Sequence, residues 1–170
     1  MNMKVSENGK KKLAEWEGVE LNVYRDVAGL PTIGVGHLLT KDELSSGKIT
    51  LNGAPVKYAT GMTQQQVMDL LAQDLAKFEK TVNECVTVSL NQNQFDSLVA
   101  FSFNVGPDAF KSSTLLKVLN QKQFADVPNQ LRRWVHSGGQ VSKGLINRRE
   151  KEIELWSASA AAVSSGGIRG

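Results

Sequence analysis

"WEGVELNVYRDVAGLPTIGVGHLLT", Trp16 to Thr40, is the stretch on which the fold of this chain turns. Gly18 is placed to stop a preceding helix. "NVYRD" and "PTIGVGH" are rich in β-formers, and Ala28-Gly29 between them reads as the turn of a short hairpin. Working back, Ser6 is the candidate N-cap of a helix running to about Glu17, with Leu13 and Trp16 on one face. Working forward, "GKITLNGAPVKY" is another strand signal with Asn52-Gly53 as its turn, so the N-terminal part predicts a small antiparallel sheet.

After Gly61 the pattern becomes helical. Thr63 and Gln66 form a capping box, and Val67, Leu71, Leu75, Phe78 and Val82 recur at helical spacing. Asn91 and Gln94 repeat the box ahead of Phe95, Leu98 and Val99, and Pro107 ends that helix or lies just past it. Ser112 or Ser113 caps "TLLKVLN", a broken stretch surrounds Pro128, and Gly138-Gly139 marks a turn. A last helix from about Ser142 to Trp156 is expected to bury Ile146, Ile153 and Trp156. The residues from 157 to 170 are Gly/Ser/Ala-rich and read as an appendage. The fold class is therefore α+β, a small sheet near the N-terminus followed by a helical remainder.

A chain of 170 residues with 41% hydrophobic and 22% charged residues can bury one substantial core. Its formal charge of +3 suits an anionic partner such as nucleic acid, an anionic lipid surface or bacterial cell wall, and selects none of them. One cysteine, Cys85, excludes an internal disulfide and fits synthesis in a reducing compartment; its expected role is that of a small buried apolar residue. No run approaches the roughly 18 apolar residues of a membrane span, and the N-terminus lacks the apolar centre of a signal peptide. Export is thus expected through a separate pore, with no stable membrane association.

Two histidines and one cysteine, widely scattered, supply no three-ligand metal set, so no metal and no cofactor are expected. Gly-x-Ser-x-Gly is absent, and in "GVGHLL" Leu39 stands where a dinucleotide fingerprint needs glycine. "LRRW" and "NRREKE" lack interleaved aromatics and read as solvated helix faces, not as a nucleic-acid site. The carboxylates are more informative. Glu17 falls at the C-terminal end of the first helix, where the negative end of the helix dipole disfavours an anion and so suits a proton donor. Asp26 follows nine residues later on the hairpin and Thr32 six after that on the returning strand. An acid, a base and a hydroxyl that holds a water are the kit for hydrolysing a glycosidic bond. Spacing alone does not separate that kit from ordinary surface carboxylates.

"EGVELNVYRDVAGLPTIGVGHLLT" also resembles the signature of the phage-type lysozymes, glycoside hydrolase family 24. The likeness continues through "LLAQDL", "LNQNQFDSLVAFSFNVG", "STLLKVLN" and "RRE", roughly Val5 to Trp156. It implies a two-lobed lysozyme-like α+β fold with an active-site cleft: an N-terminal lobe over about 1–62, a linking helix over about 63–82, and a helical lobe over about 83–156. The implied reaction is hydrolysis of the β-1,4 bond between N-acetylmuramic acid and N-acetylglucosamine in peptidoglycan, with inversion. On matching positions, the resemblance makes Glu17 the general acid, Asp26 the carboxylate on the other face of the sugar, and Thr32 the residue that positions water. Leu38 and Phe103 match sugar-contacting positions, and Asn104, beside Phe103, is a further candidate for the cleft. Arg148 matches an arginine facing the acid, and His37 with Asp74 a structural pair. The expectation is a monomeric endolysin held in the host cytoplasm until lysis and then acting in the periplasm on the wall. A lytic transglycosylase and a catalytically silent wall-binding module are the rivals.

Overall fold

The computed structural model describes residues 2–158. All but the first two residues of the Gly/Ser/Ala-rich tail, 159–170, lie outside the described residues. The chain forms two compact units, one made of Lys10–Ala76 and the other of the residues up to Gly9 and from Lys77 onward.

Helix α1 (Glu7–Glu17) starts at Ser6, whose Oγ accepts a hydrogen bond from the Gly9 N–H at 3.0 Å. It stops at Gly18, which turns to φ 88° while its N–H bonds the Ala14 carbonyl. In the first unit, β1 (Glu20–Arg25), β2 (Pro31–Gly34) and β3 (His37–Leu38) form an antiparallel sheet in that order. β4 (Lys48–Leu51) and β5 (Ala54–Lys57) form a separate hairpin on Asn52 and Gly53, both at positive φ. The single sheet expected from the sequence is thus split. A short helix that the periodicity did not announce, α2 (Lys41–Ser46), stands between the pieces, closed at its start by a Thr40–Glu43 capping box and at its end by left-handed Gly47. The β4–β5 hairpin is tied to α3 (Gln64–Cys85) by Gln73, which donates to the Thr50 carbonyl at 2.8 Å. Ile33, Ile49, Val67, Leu70, Leu71 and Leu75 are the buried core here. The Thr63–Gln66 capping box forms as expected, with both bonds at 2.9–3.0 Å.

In the second unit, the N-terminal arm is sewn down by side chains. Asn83 exchanges two bonds with the Met3 backbone, Glu79 accepts from Val5 N–H at 2.8 Å, and Asp96 accepts from both the N–H and the hydroxyl of Ser6. These bonds explain why the first nine residues group with the helices that follow Ala76 and not with the sheet. α4 (Gln92–Val105) carries the Asn91–Gln94 box and ends at Gly106, so Pro107 opens the next helix, α5 (Pro107–Lys111). Ser113, not Ser112, caps α6 (Thr114–Asn120). A turn of 3-10 helix at Phe124–Asp126 leads to α7 (Val127–Leu131). Gly138 and Gly139 turn a minimal hairpin, β6 (His136–Ser137) and β7 (Gln140–Val141), before α8 (Lys143–Ser157). Phe95, Leu98, Phe101, Phe110, Leu115, Leu119, Leu131 and Trp156 fill the core.

Three expectations are corrected. Ile146 is exposed rather than buried, because the buried stripe of α8 begins two residues later at Arg148. "NRREKE" is not a solvated face: Arg148, Arg149 and Glu152 are buried. They are tolerated inside because Glu152 sets one carboxylate against both guanidinium groups, Arg148 Nε lying 2.8 Å from its Oε2 and Arg149 Nη1 3.1 Å from its Oε1. Cys85, the last residue of α3, is only half-buried.

Candidate active site

Glu17, Asp26, Thr32, Leu38, His37 and Asp74 all belong to the first unit, whereas Phe103, Asn104 and Arg148 belong to the second. Glu17 is the exposed last residue of α1, three residues before β1 begins. Local backbone geometry therefore sets it beside the start of the sheet.

Asp26 sits at the turn between β1 and β2. Its Oδ1 accepts from the N–H groups of both Ala28 and Leu30, at 2.9 and 2.8 Å, while its own N–H bonds the Leu30 carbonyl. This is an aspartate holding its own turn, which explains why the hairpin reverses here. Both side-chain bonds fall on Oδ1, so the carboxylate is oriented by one oxygen while Oδ2 has no bond among the described residues. Thr32, 2% exposed, donates its hydroxyl proton to the Leu30 carbonyl at 2.9 Å. That bond fixes the proton and leaves the oxygen lone pairs as acceptors. The strand register pairs Thr32 with Leu38 on β3, and Leu38 is half exposed.

On the opposite face, His37 is bracketed by two carboxylates. Its Nδ1 lies 2.8 Å from Asp74 Oδ2 and its Nε2 2.8 Å from Glu43 Oε1. The sequence reading named Asp74 and missed Glu43. The Thr40-x-x-Glu43 capping box was the signal that would have placed it, since the same Oε1 accepts from the Thr40 N–H. Burial alone would lower the His37 pKa; hydrogen bonding and charge from Asp74 and Glu43 outweigh it and raise the value from 6.5 to about 9. The folded-state value exceeds the unfolded one, so the stabilisation is fully present below about pH 6.5 and is lost as pH rises toward 9, amounting to roughly 3 kcal/mol at most. A two-dimensional NMR titration of the imidazole should show this raised midpoint, and one at or below 6.5 would contradict the bracket.

In the second unit, Phe103 packs edge-on against Phe78 with ring centroids 5.3 Å apart. Asn104 accepts a hydrogen bond from the Arg149 guanidinium, so its oxygen already has a structural task. Arg148 is held by Glu152 and donates to the Ala100 carbonyl at 2.9 Å. The sequence reading missed Arg149 and Glu152, because charged residues in a basic run carry no mark of burial. Among the described residues, no cluster of histidine, cysteine and carboxylate groups is arranged to hold a metal, and no helix is long and apolar enough to cross a membrane.

The chain's likeness to known proteins follows the same residues. The phage lysozyme family model matches residues 14–152. The endolysin of Salmonella phage P22 is 36% identical over 154 residues, covering 91% of this chain and 98% of that protein. The endolysin of Bacillus phage PZA is 37% identical over 158 residues, and the chain spans 56% of that relative's length. Among solved structures, a mutant of P22 lysozyme superposes with a TM-score of 0.78 at 35% identity, covering 92% of this chain and 99% of that one. The muramidase domain of SpmX from Asticaccaulis excentricus superposes with a TM-score of 0.74 at 29% identity and the same coverage. The α+β architecture is therefore lysozyme-like, and the chain belongs to the phage lysozyme family.

Proposed function

We propose that this chain is an endolysin that hydrolyses the β-1,4 bond between N-acetylmuramic acid and N-acetylglucosamine, with inversion, using Glu17 as acid and Asp26 as base. The observation that carries the reading is the division of labour at the hairpin. Asp26 is oriented through Oδ1 and keeps Oδ2 for chemistry, while Thr32 is fixed as an acceptor. A water between them gives one hydrogen to Asp26 Oδ2 and the other to Thr32 Oγ1, which aims its lone pair at the anomeric carbon. As the C–O bond breaks, Glu17 protonates the leaving oxygen, Asp26 takes the proton of the water, and the hydroxyl joins the anomeric carbon.

Leu38, beside Thr32 on the neighbouring strand, offers an apolar surface to the sugar. Phe103 and Asn104 are proposed to contact the glycan as well, and Arg148 to support the acid. Residues up to 156 make the catalytic domain. It works as a monomer, is retained in the host cytoplasm until lysis and then acts where its substrate lies, in the wall. Nucleic acid is not part of this reading.

In an inverting glycosidase the carboxyls stand about 6.5–9.5 Å apart, and in a retaining one about 5–5.5 Å. A nucleophilic aspartate needs no hydroxyl to aim a water, so the wider gap fits Thr32. Proton NMR of the nascent product, recorded before mutarotation, should show the α-anomer first. A β-anomer appearing first overturns inversion and makes Asp26 the nucleophile. A product ending in an anhydro-sugar, read by mass spectrometry, would instead identify a lytic transglycosylase.

A further inference from the structure

Tyr24 has no part in the mechanism above, yet the sheet puts it in the same rung. Cα register pairs Tyr24 with Thr32, and Thr32 with Leu38. Residues directly opposite each other in antiparallel strands share a face, with Cβ atoms about 4.5–5.5 Å apart. Asp26, two residues beyond Tyr24, lies just past the end of β1, and its charge reaches the Tyr24 phenol. The other face holds Ile33 and His37, paired with each other, and Ile33 is fully buried. Tyr24 therefore stands on the face that carries the water-holding threonine, close to the proposed base, and it is half-buried there.

The proton inventory of this face singles Tyr24 out. Asp26 Oδ1 is engaged by two backbone N–H groups, and the Thr32 hydroxyl has given its proton to the Leu30 carbonyl. Among the described residues the Tyr24 phenol donates to no protein acceptor, while burial and the charges of Glu20, Asp26 and Glu17 act on it. Those influences raise its pKa above 10, so it stays a neutral donor throughout the range in which carboxylates serve as acid and base. N-acetylated sugars present acceptor oxygens, on ring hydroxyls and on the acetamido carbonyl, and a carboxylate face repels none of them when a neutral donor is interposed.

Resting on the muramidase reading, we propose that Tyr24 is a further substrate-contacting residue, its phenol O–H donating a hydrogen bond to an oxygen of the N-acetylated sugar held over Thr32 and Asp26. Tyr24→Phe keeps the ring and removes the donor. On soluble glycan-strand fragments it should lower kcat/KM about tenfold, the effect of losing one well-placed hydrogen bond, with an unchanged melting temperature. A direct readout uses Glu17→Gln protein labelled with 13C at tyrosine Cζ. The chain has two tyrosines, and Tyr58 is an internal reference because its hydroxyl donates to the Glu43 carbonyl at 2.7 Å. Titration with an N-acetylglucosamine–N-acetylmuramic acid oligomer should move one signal, and that signal should be missing from the Tyr24→Phe protein. Turnover by Tyr24→Phe within twofold of the unaltered chain, or a Tyr24 signal that stays fixed at saturation, overturns the inference while leaving the muramidase reading intact. If the unaltered chain releases no sugar end at all, the muramidase reading falls and this inference with it.

Discussion

Glu17→Gln should abolish lysis of permeabilised Gram-negative cells while the protein stays folded. The substitution keeps size and shape and removes the one proton that the leaving oxygen needs. General acid catalysis contributes about 10²–10⁴-fold, so turbidity of a cell suspension should fall at a rate lower by at least that range. Glu17 is an exposed residue at the end of α1, where substitutions change stability little. The melting temperature should therefore stay within about 3 °C of the unaltered value. A Glu17→Gln protein that clears cells at close to the normal rate removes the mechanism. An inactive protein that has also lost its melting transition does not test it, and Glu17→Asp, which retains a carboxylic acid on a shorter arm, then decides: partial activity in a folded Glu17→Asp protein keeps Glu17 as the acid.

Glu152→Gln should be the most destabilising conservative change in the second unit. Glu152 is fully buried on α8 and faces two buried guanidinium groups, with Arg148 Nε at 2.8 Å and Arg149 Nη1 at 3.1 Å. The second of these is a charge contact without hydrogen-bond alignment. Arg149 is further placed over the Phe101 ring, 5.0 Å from its centroid, and donates to Asn104. An amide in place of the carboxylate leaves two buried cations without the anion between them. Removing one member of a buried charged group costs about 3–5 kcal/mol, which for a domain of this length lowers the melting temperature by roughly 10 °C or more. High salt should not mimic the effect, since ions do not screen a buried pair well. Glu150→Gln is the control two residues away: Glu150 pairs with Arg132 on the surface, so its loss should barely register in the same melt. A loss below about 1 kcal/mol for Glu152→Gln would mean that the guanidinium groups find other compensation.

The sequence by itself determined the elements whose signals are local. Gly18 stops α1 because the left-handed turn it makes is easy only without a Cβ. The two capping boxes at Thr63 and Asn91 announce α3 and α4, because their bonds join residues three apart and need nothing from the rest of the chain. Asp26 at the turn and Thr32 on the returning strand were legible for the same reason: the bonds that orient them run to Ala28 and Leu30, within a span of seven residues. Only the tertiary structure decided what depends on partners distant in sequence. Asp96 and Glu79 draw the N-terminal arm to the helical unit from more than 70 residues away. Glu43 and Asp74 meet on His37, and the rung that aligns Tyr24 with Thr32 and Leu38 exists only once three strands take register. The burial of Arg149 and Glu152 was invisible for a related reason. A run of charges looks solvated until a neighbouring helix, here α4, covers it, and the energy that makes burial tolerable lies in the charge pairs themselves.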